Sequence, residues 1–138
     1  MPHWTTEQLH PRLAEHFGNT NVAVLEDAEG ALQVVLAEAG DLEITLVLSE
    51  DQIYVSTPLV TGKQVADRAA FNDACLRLNP INPLSNLGLA TVDGEDVYVV
   101  FGELSADSTE AQIVLEIRTL GVNAIDAIES LKPFLVHA

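Results

Sequence analysis

The side chains able to do chemistry are few in this sequence and lie far apart. Histidine carries protons near neutral pH and is the commonest metal ligand, and four are present: His3, His10, His16 and His137. All sit near the chain ends, and none has a second histidine at the four-residue spacing that sets two imidazoles on one helix face. Glu7 and His10 can share a helix face, an arrangement that solvent-exposed side chains satisfy without a catalytic or metal role. The lone Cys75 has no second thiol for a disulfide or a metal and no histidine nearby in sequence, so it reads as small buried filler, not as a nucleophile. No serine sits in a G-x-S-x-G elbow, and the glycines are scattered without the clustering that lets backbone amides cradle phosphate. The acidic turns at Glu26-Asp27, Glu50-Asp51 and Asp93 to Asp96 lack the ordered ligand spacing of a calcium loop. These observations predict no catalytic residue, no cofactor and no metal. The alternative is a small enzyme or small-molecule binder whose site is assembled from scattered carboxylates in a cleft. Glu103, Asp107 and the asparagines Asn79, Asn82 and Asn86 are the available candidates for it.

Charge narrows the range of partners. Twenty-one Asp and Glu against 6 Lys and Arg give a formal net charge of −15. Phosphate backbones are bound by clustered cations, so nucleic acid is not an expected ligand, and an anionic membrane surface is disfavoured for the same reason. The six cations, Arg12, Lys63, Arg68, Arg77, Arg118 and Lys132, all fall in segments that read as helical. No Lys or Arg occurs from Asn19 to Gly62 or from Leu78 to Ile117, the parts that read as sheet. The acidity keeps the chain soluble, or it forms a face for a basic partner.

The elements that position these groups follow from periodicity and caps. The length suits one domain, residues 1–138, with hydrophobic residues at 48%. Thr5 and Gln8 stand at capping-box spacing ahead of Leu9, Leu13, Ala14 and Phe17, which predicts a first helix ending at Gly18. Pro11 is awkward inside it. Val22 to Glu26 and Ala31 to Leu36 read as a hairpin, and Leu42, Ile44, Leu46 and Leu48 alternate as a third strand. Ile53 to Thr57 reads as a fourth strand that Pro58 ends or places at an edge. Thr61 and Gln64 repeat the capping-box spacing, which predicts a second helix from Gly62 to Leu78 with a broad apolar face: Val65, Ala69, Asn72 and Leu76 on one stripe, Phe71, Cys75 and Leu78 on the next. A proline-rich connector, Asn79 to Asn86, leads to a second hairpin, Leu87 to Val92 and Asp96 to Leu104, across Asp93-Gly94. Asp107 and Glu110 have capping-box spacing ahead of a long final helix with apolar residues from Ile113 to Leu135, in which Gly121 either permits close approach or interrupts. The fold class is therefore α+β, in the order α-β-β-β-β-α-β-β-α, a twisted antiparallel sheet covered by helices. No apolar run reaches the length of a membrane span, and the N-terminus lacks the basic and apolar regions of a secretory signal. A cytoplasmic location is the expectation.

Pro83-Leu84-Ser85-Asn86-Leu87-Gly88, the Val92-Asp93-Gly94 turn, Phe101-Gly102-Glu103-Leu104-Ser105 and the stretch from Asn123-Ala124-Ile125-Asp126 to Leu131 resemble the YjfI-like family of uncharacterised bacterial proteins. The resemblance assigns no active site. Members are often encoded near PspA-like membrane-stress proteins, which implies, by association, a role in envelope maintenance and a PspA-like membrane-associated partner. The element order and acidity also resemble type III secretion chaperones, small acidic homodimers whose subunits follow a helix, three strands, a helix, two strands and a helix; here a fourth strand precedes the second helix. The broad apolar second helix, the acidity and the absence of a catalytic constellation point to a non-enzymatic, acidic protein-binding module, adaptor or chaperone-like and homodimeric. It would grip a partner by an exposed strand edge or by the second helix through Val65, Ala69, Phe71 and Leu76.

Overall fold

Three threonine capping boxes mark where the chain turns from extended to coiled. The computed structural model describes residues 3–136, so His137 lies outside the described residues. Helix α1 (Thr6–Phe17) is capped by Thr5 with Gln8 reciprocating, and it runs through Pro11 without a break. Strands β1 (Val22–Leu25) and β2 (Ala31–Leu36) form the first hairpin, and β3 (Leu42–Leu48) and β4 (Gln52–Thr61) continue it as an antiparallel meander. Helix α2 (Arg68–Leu78) is followed by β5 (Asn86–Val92), β6 (Glu95–Ser105) and the long helix α3 (Glu110–Leu131). The result is α+β, a six-stranded antiparallel sheet in the order β1-β2-β3-β4-β6-β5. The Asp93-Gly94 turn between β5 and β6 has φ of 50° and 78°, the left-handed pair that matches strand twist.

Three expectations need correction. Pro58 neither ends β4 nor lies on an edge strand: β4 is interior, between β3 and β6, and the proline sits where the register shifts between Pro58 and Val60. Pairing with β3 stops at Ser56, so the missing N–H costs no ladder bond there. The second helix does not begin at Gly62. The Thr61–Gln64 capping box is real but closes only a single 3-10 turn, Gly62–Gln64. Beyond it Val65 bridges Leu135, Ala66 N–H donates to Phe134, and Val136 N–H donates to Gln64, so the chain is extended at Val65 and Asp67 caps α2 afresh. At α3 the box uses Thr109 and Gln112, not Asp107 and Glu110. Gly121 does not interrupt α3; its bare Cα lets the helix approach Leu36 of β2, whose side chain occupies the place a Cβ would take.

All three helices cover the same face of the sheet. Leu9 and Leu13 of α1 and Ile113, Ile117 and Leu120 of α3 pack onto Leu32, Val34, Ile44, Leu46, Ile53, Val55 and Val100. A second cluster joins Phe71 and Cys75 of α2 and Ala127 and Leu131 of α3 to Val60, Val65 and Tyr98. Tyr98 and Val100 stand two apart on β6 and so point the same way. Helix α3 thus runs through both clusters, and among the described residues no helix covers the opposite sheet face.

Candidate protein-binding site

The groove between α2 and edge strand β5 is built from a pinned helix beside a strand that pairs with β6 on one side only. Phe71, 1% exposed, stands edge-on to Tyr98 with ring centroids 4.6 Å apart and to Phe134 at 6.2 Å. The Tyr98 hydroxyl donates to the Asn72 side-chain carbonyl and accepts from Arg68 Nε at 3.0 Å, while the Arg68 guanidinium donates to Asp96 at 2.8 Å. These bonds fix α2 beside the β5–β6 hairpin. Between them opens a cavity of about 250 Å³ lined by Asn72, Cys75, Leu76, Leu87, Leu89 and Tyr98. Burial pushes the Cys75 thiol up to about 11, which leaves it protonated and unreactive at neutral pH. Leu76 and Leu89 form the lips, 73% and 49% exposed.

The edge itself is partly capped. Leu87 N–H points away from β6 and donates to the Asn79 side-chain oxygen at 2.7 Å. Backbone groups alternate sides along a strand, so Leu89 and Thr91 also direct N–H and C=O outward. Neither lysine nor proline guards this stretch.

The four predicted contact residues divide. Val65 and Phe71 are buried in the second cluster and present no surface, whereas Ala69 and Leu76 are exposed on α2. Leu87, Leu89 and Tyr98 were not singled out from the sequence; the alternation Leu87–Leu89 was visible, but that β5 ends the sheet depends on β6 inserting beside β4.

The candidates for the enzymatic alternative are not brought together. Glu103 lies exposed on the helix-free sheet face, opposite Tyr54. Asp107 is 3.3 Å from His3 at the rim of a different cavity, about 510 Å³, lined also by Trp4, Gln8, Pro11 and Arg12. Asn79 caps Leu87, Asn82 buries an amide nitrogen that has no hydrogen-bond partner among the described residues, and Asn86 is exposed at the start of β5. The described histidines tie elements together: His10 donates to the Val22 carbonyl at 2.9 Å, and His16 meets Glu110 at 2.8 Å beside Arg12, which pairs with the same carboxylate. Glu7 is exposed, away from any such contact. Among the described residues no three His, Cys, Asp or Glu side chains converge on a point that could hold a metal ion. No helix of the described residues is long and apolar enough to cross a membrane.

Comparison with known proteins gives the lineage. The profile of a family described as "Uncharacterized protein conserved in bacteria (DUF2170)" matches residues 3–135. The protein YjfI of Escherichia coli K12 is 34% identical over 103 residues, 75% of this chain and 77% of its own length, so the YjfI-like resemblance holds. Among solved structures, E. coli YbjN, a proposed transcription regulator, superposes with a TM-score of 0.66 at 15% identity, covering 98% of this chain and 97% of its own. A chain of the ExoU–SpcU heterodimer of the Pseudomonas aeruginosa type III secretion system gives 0.60 at 16% identity over 90% and 98%. A chain of the HopA1–SchA chaperone–effector complex gives 0.55 at 14% over 96% and 98%. At such identities the likeness is one of fold: the secretion-chaperone architecture expected from the element order is the one this chain adopts.

Proposed function

The chain belongs to the DUF2170 family of bacterial proteins, and we propose that it is a non-enzymatic, chaperone-like module that holds an extended segment of another protein along β5. The observation that carries this reading is the open edge at Leu89 and Thr91 beside the apolar groove under α2. A segment pairing there gains backbone hydrogen bonds from the edge, and its alternate side chains fall beside Leu76 and Leu89, so the edge gives affinity and the groove gives selectivity. Chains of this fold occur in complexes with a second protein, which supports the reading by analogy.

The finer assignments belong to the same proposal. The chain works as one cytoplasmic domain, residues 1–138, without a cofactor. It is a homodimer, for which the exposed Leu115, Val122 and Ile125 along α3 offer an apolar strip. The partner class that the YjfI-like resemblance brings is a PspA-like membrane-associated protein, with a role in envelope stress. Direct contact with nucleic acid is opposed by the charge of −15, with no Lys or Arg on any strand.

Leu89→Pro tests the central claim. Proline at an edge position whose N–H faces outward removes that donor and leaves the bonds to β6 in place. The full chain should retain a bound protein in pull-downs from its native cell and lose it on this substitution, with circular dichroism unchanged. Equal recovery by wild type and variant would refute strand pairing at β5.

A further inference from the structure

The helix-free face of the sheet is a second surface, and its chemistry differs from that of the β5 edge. Strand alternation, with Tyr98 and Val100 turned toward the helices, puts Val35, Val47, Tyr54, Val97, Val99 and Phe101 on this open side. At its centre Tyr54 and Phe101 stack with centroids 5.6 Å apart and planes inclined by 26°. The Phe101 ring extends across to β5, where a Cβ on Gly88 would stand 2.8 Å from it, so the glycine makes room for the ring. Carboxylates dominate the charge here; at the hairpin end Glu95, which alternation also turns to this side, pairs with Lys63 at 3.7 Å. Glu43 and Glu103 are exposed on the face, no strand carries a Lys or Arg, and among the described residues neither carboxylate has a cationic partner. Burial first and the neighbouring Glu103 second push the Tyr54 phenol above its ordinary range, so the aromatic pair stays uncharged.

From this we infer that the open sheet face docks an amphipathic helix of a partner protein, one that carries Lys or Arg at both ends of its apolar strip. The inference rests on the protein-binding reading above but uses a different surface. Strands β3, β4 and β6 have neighbours on both sides, so nothing can be added to their ladders, and only side chains are on offer. A helix, whose backbone is satisfied internally, is the element that lies on such a face, as α1 and α3 do on the other. Charge chooses among the occupants. A second copy would bring another net charge of −15 and the same unpaired carboxylates, whereas a cationic strip matches them. Spacing adds a constraint. Thr45, Ser56 and Phe101 form one cross-strand row and Val47, Tyr54 and Glu103 the next, while Glu43 lies one row beyond Thr45. Glu43 and Glu103 are therefore about 13 Å apart along the strands and about 10 Å across them, about 16 Å in all. A helix covers that distance in about three turns.

The test uses the full chain and a labelled synthetic peptide of about five helical turns, with leucine along one face and lysines about three turns apart. Saturable binding that weakens with salt, falls at least about tenfold in the Glu43→Lys/Glu103→Lys double variant and is indifferent to Leu89→Pro is the expected result. The inference is overturned if the double variant binds as tightly, if a peptide with glutamates in place of the lysines binds equally, or if no saturable binding occurs. It is overturned too if light scattering finds that the double variant alters self-association, since the face would then be an interface between copies. Because Leu89→Pro reads the β5 edge and the lysine variants read the open face, failure of one leaves the other judged separately.

Discussion

Glu116 is the residue the fold treats least kindly. It lies on the buried stripe of α3, 3% exposed, and one carboxylate oxygen has no hydrogen-bond partner among the described residues. Its side chain fills the place where a Cβ on Gly102 would stand, so the glycine of Phe101-Gly102-Glu103 is a seat for it. Burial raises its pKa, and the consequence for stability has a definite sign. A carboxyl whose folded value is raised contributes fully below the ordinary carboxylate range, and that contribution is lost as pH rises through the folded value. Glu116→Gln keeps the shape, removes the charge, and offers an amide close to the Leu84 carbonyl, which borders the same spot. The variant should be more stable than wild type by about 1 kcal/mol near neutral pH. The gain should shrink as the medium is acidified toward about pH 4, and thermal melts across that range check it. The residue could have been found in the sequence: counting by three and four from Ile113 through Ile117, Leu120 and Ala124 also lands on Glu116 and Asn123, and Asn123 too is buried, donating to the Pro83 carbonyl at 2.7 Å. Cys75 was legible from the outset as filler, because solitary thiols in apolar helices pack like alanine.

At the level of elements, local chemistry decided almost everything, and the failures have a common cause. Two capping-box spacings compete ahead of α3, and Thr109 wins because its hydroxyl and the Gln112 amide satisfy each other's backbone at 3.2 and 2.8 Å. Thr109→Ala should cost about 1 kcal/mol. For a chain of this size that lowers the melting temperature by about 3 to 5 °C, and Asp107→Ala should leave it nearly unchanged; differential scanning calorimetry of both separates the two caps. The hairpins, the alternation in β3 and the long final helix were written in pairs and periods that involve near neighbours. The start of α2 was not, because Gln64 to Ala66 are tied to Phe134 to Val136 from the far end of the chain. Nor was the place of Pro58, which depended on β6 inserting beside β4. Of the predicted contact residues only Leu76 lines the groove and only Leu76 and Ala69 are exposed, since a helical wheel shows which side chains cluster but not which of them the sheet will cover.

The whole molecule carries its charge unevenly: cations sit on helices and short helical turns and on no strand, whereas acids occur on helices, strands and turns alike. Mutual repulsion among 21 acids opposes compaction, and the few surface ion pairs, such as Arg118 with Glu38 at 3.1 Å and Arg77 with Asp73 at 2.8 Å, offset little of it. Screening should therefore stabilise the fold. Raising ionic strength from about 0.01 M to about 0.15 M shortens the Debye length from about 30 Å to about 8 Å, and the melting temperature should rise. A fall would mean that the ion pairs outweigh the repulsion.

The sheet also has two unlike margins. Strand β1 is four residues long and adjoins the acidic Glu26-Asp27 turn, whereas β5 runs for seven residues and has its first outward amide stoppered by Asn79. A ribbon with one receptive side and one blunt side cannot grow link by link: whatever docks at β5 finds no matching margin from which the next unit could continue. The same asymmetry that would leave room for a guest strand thus guards the protein against spinning itself into fibres.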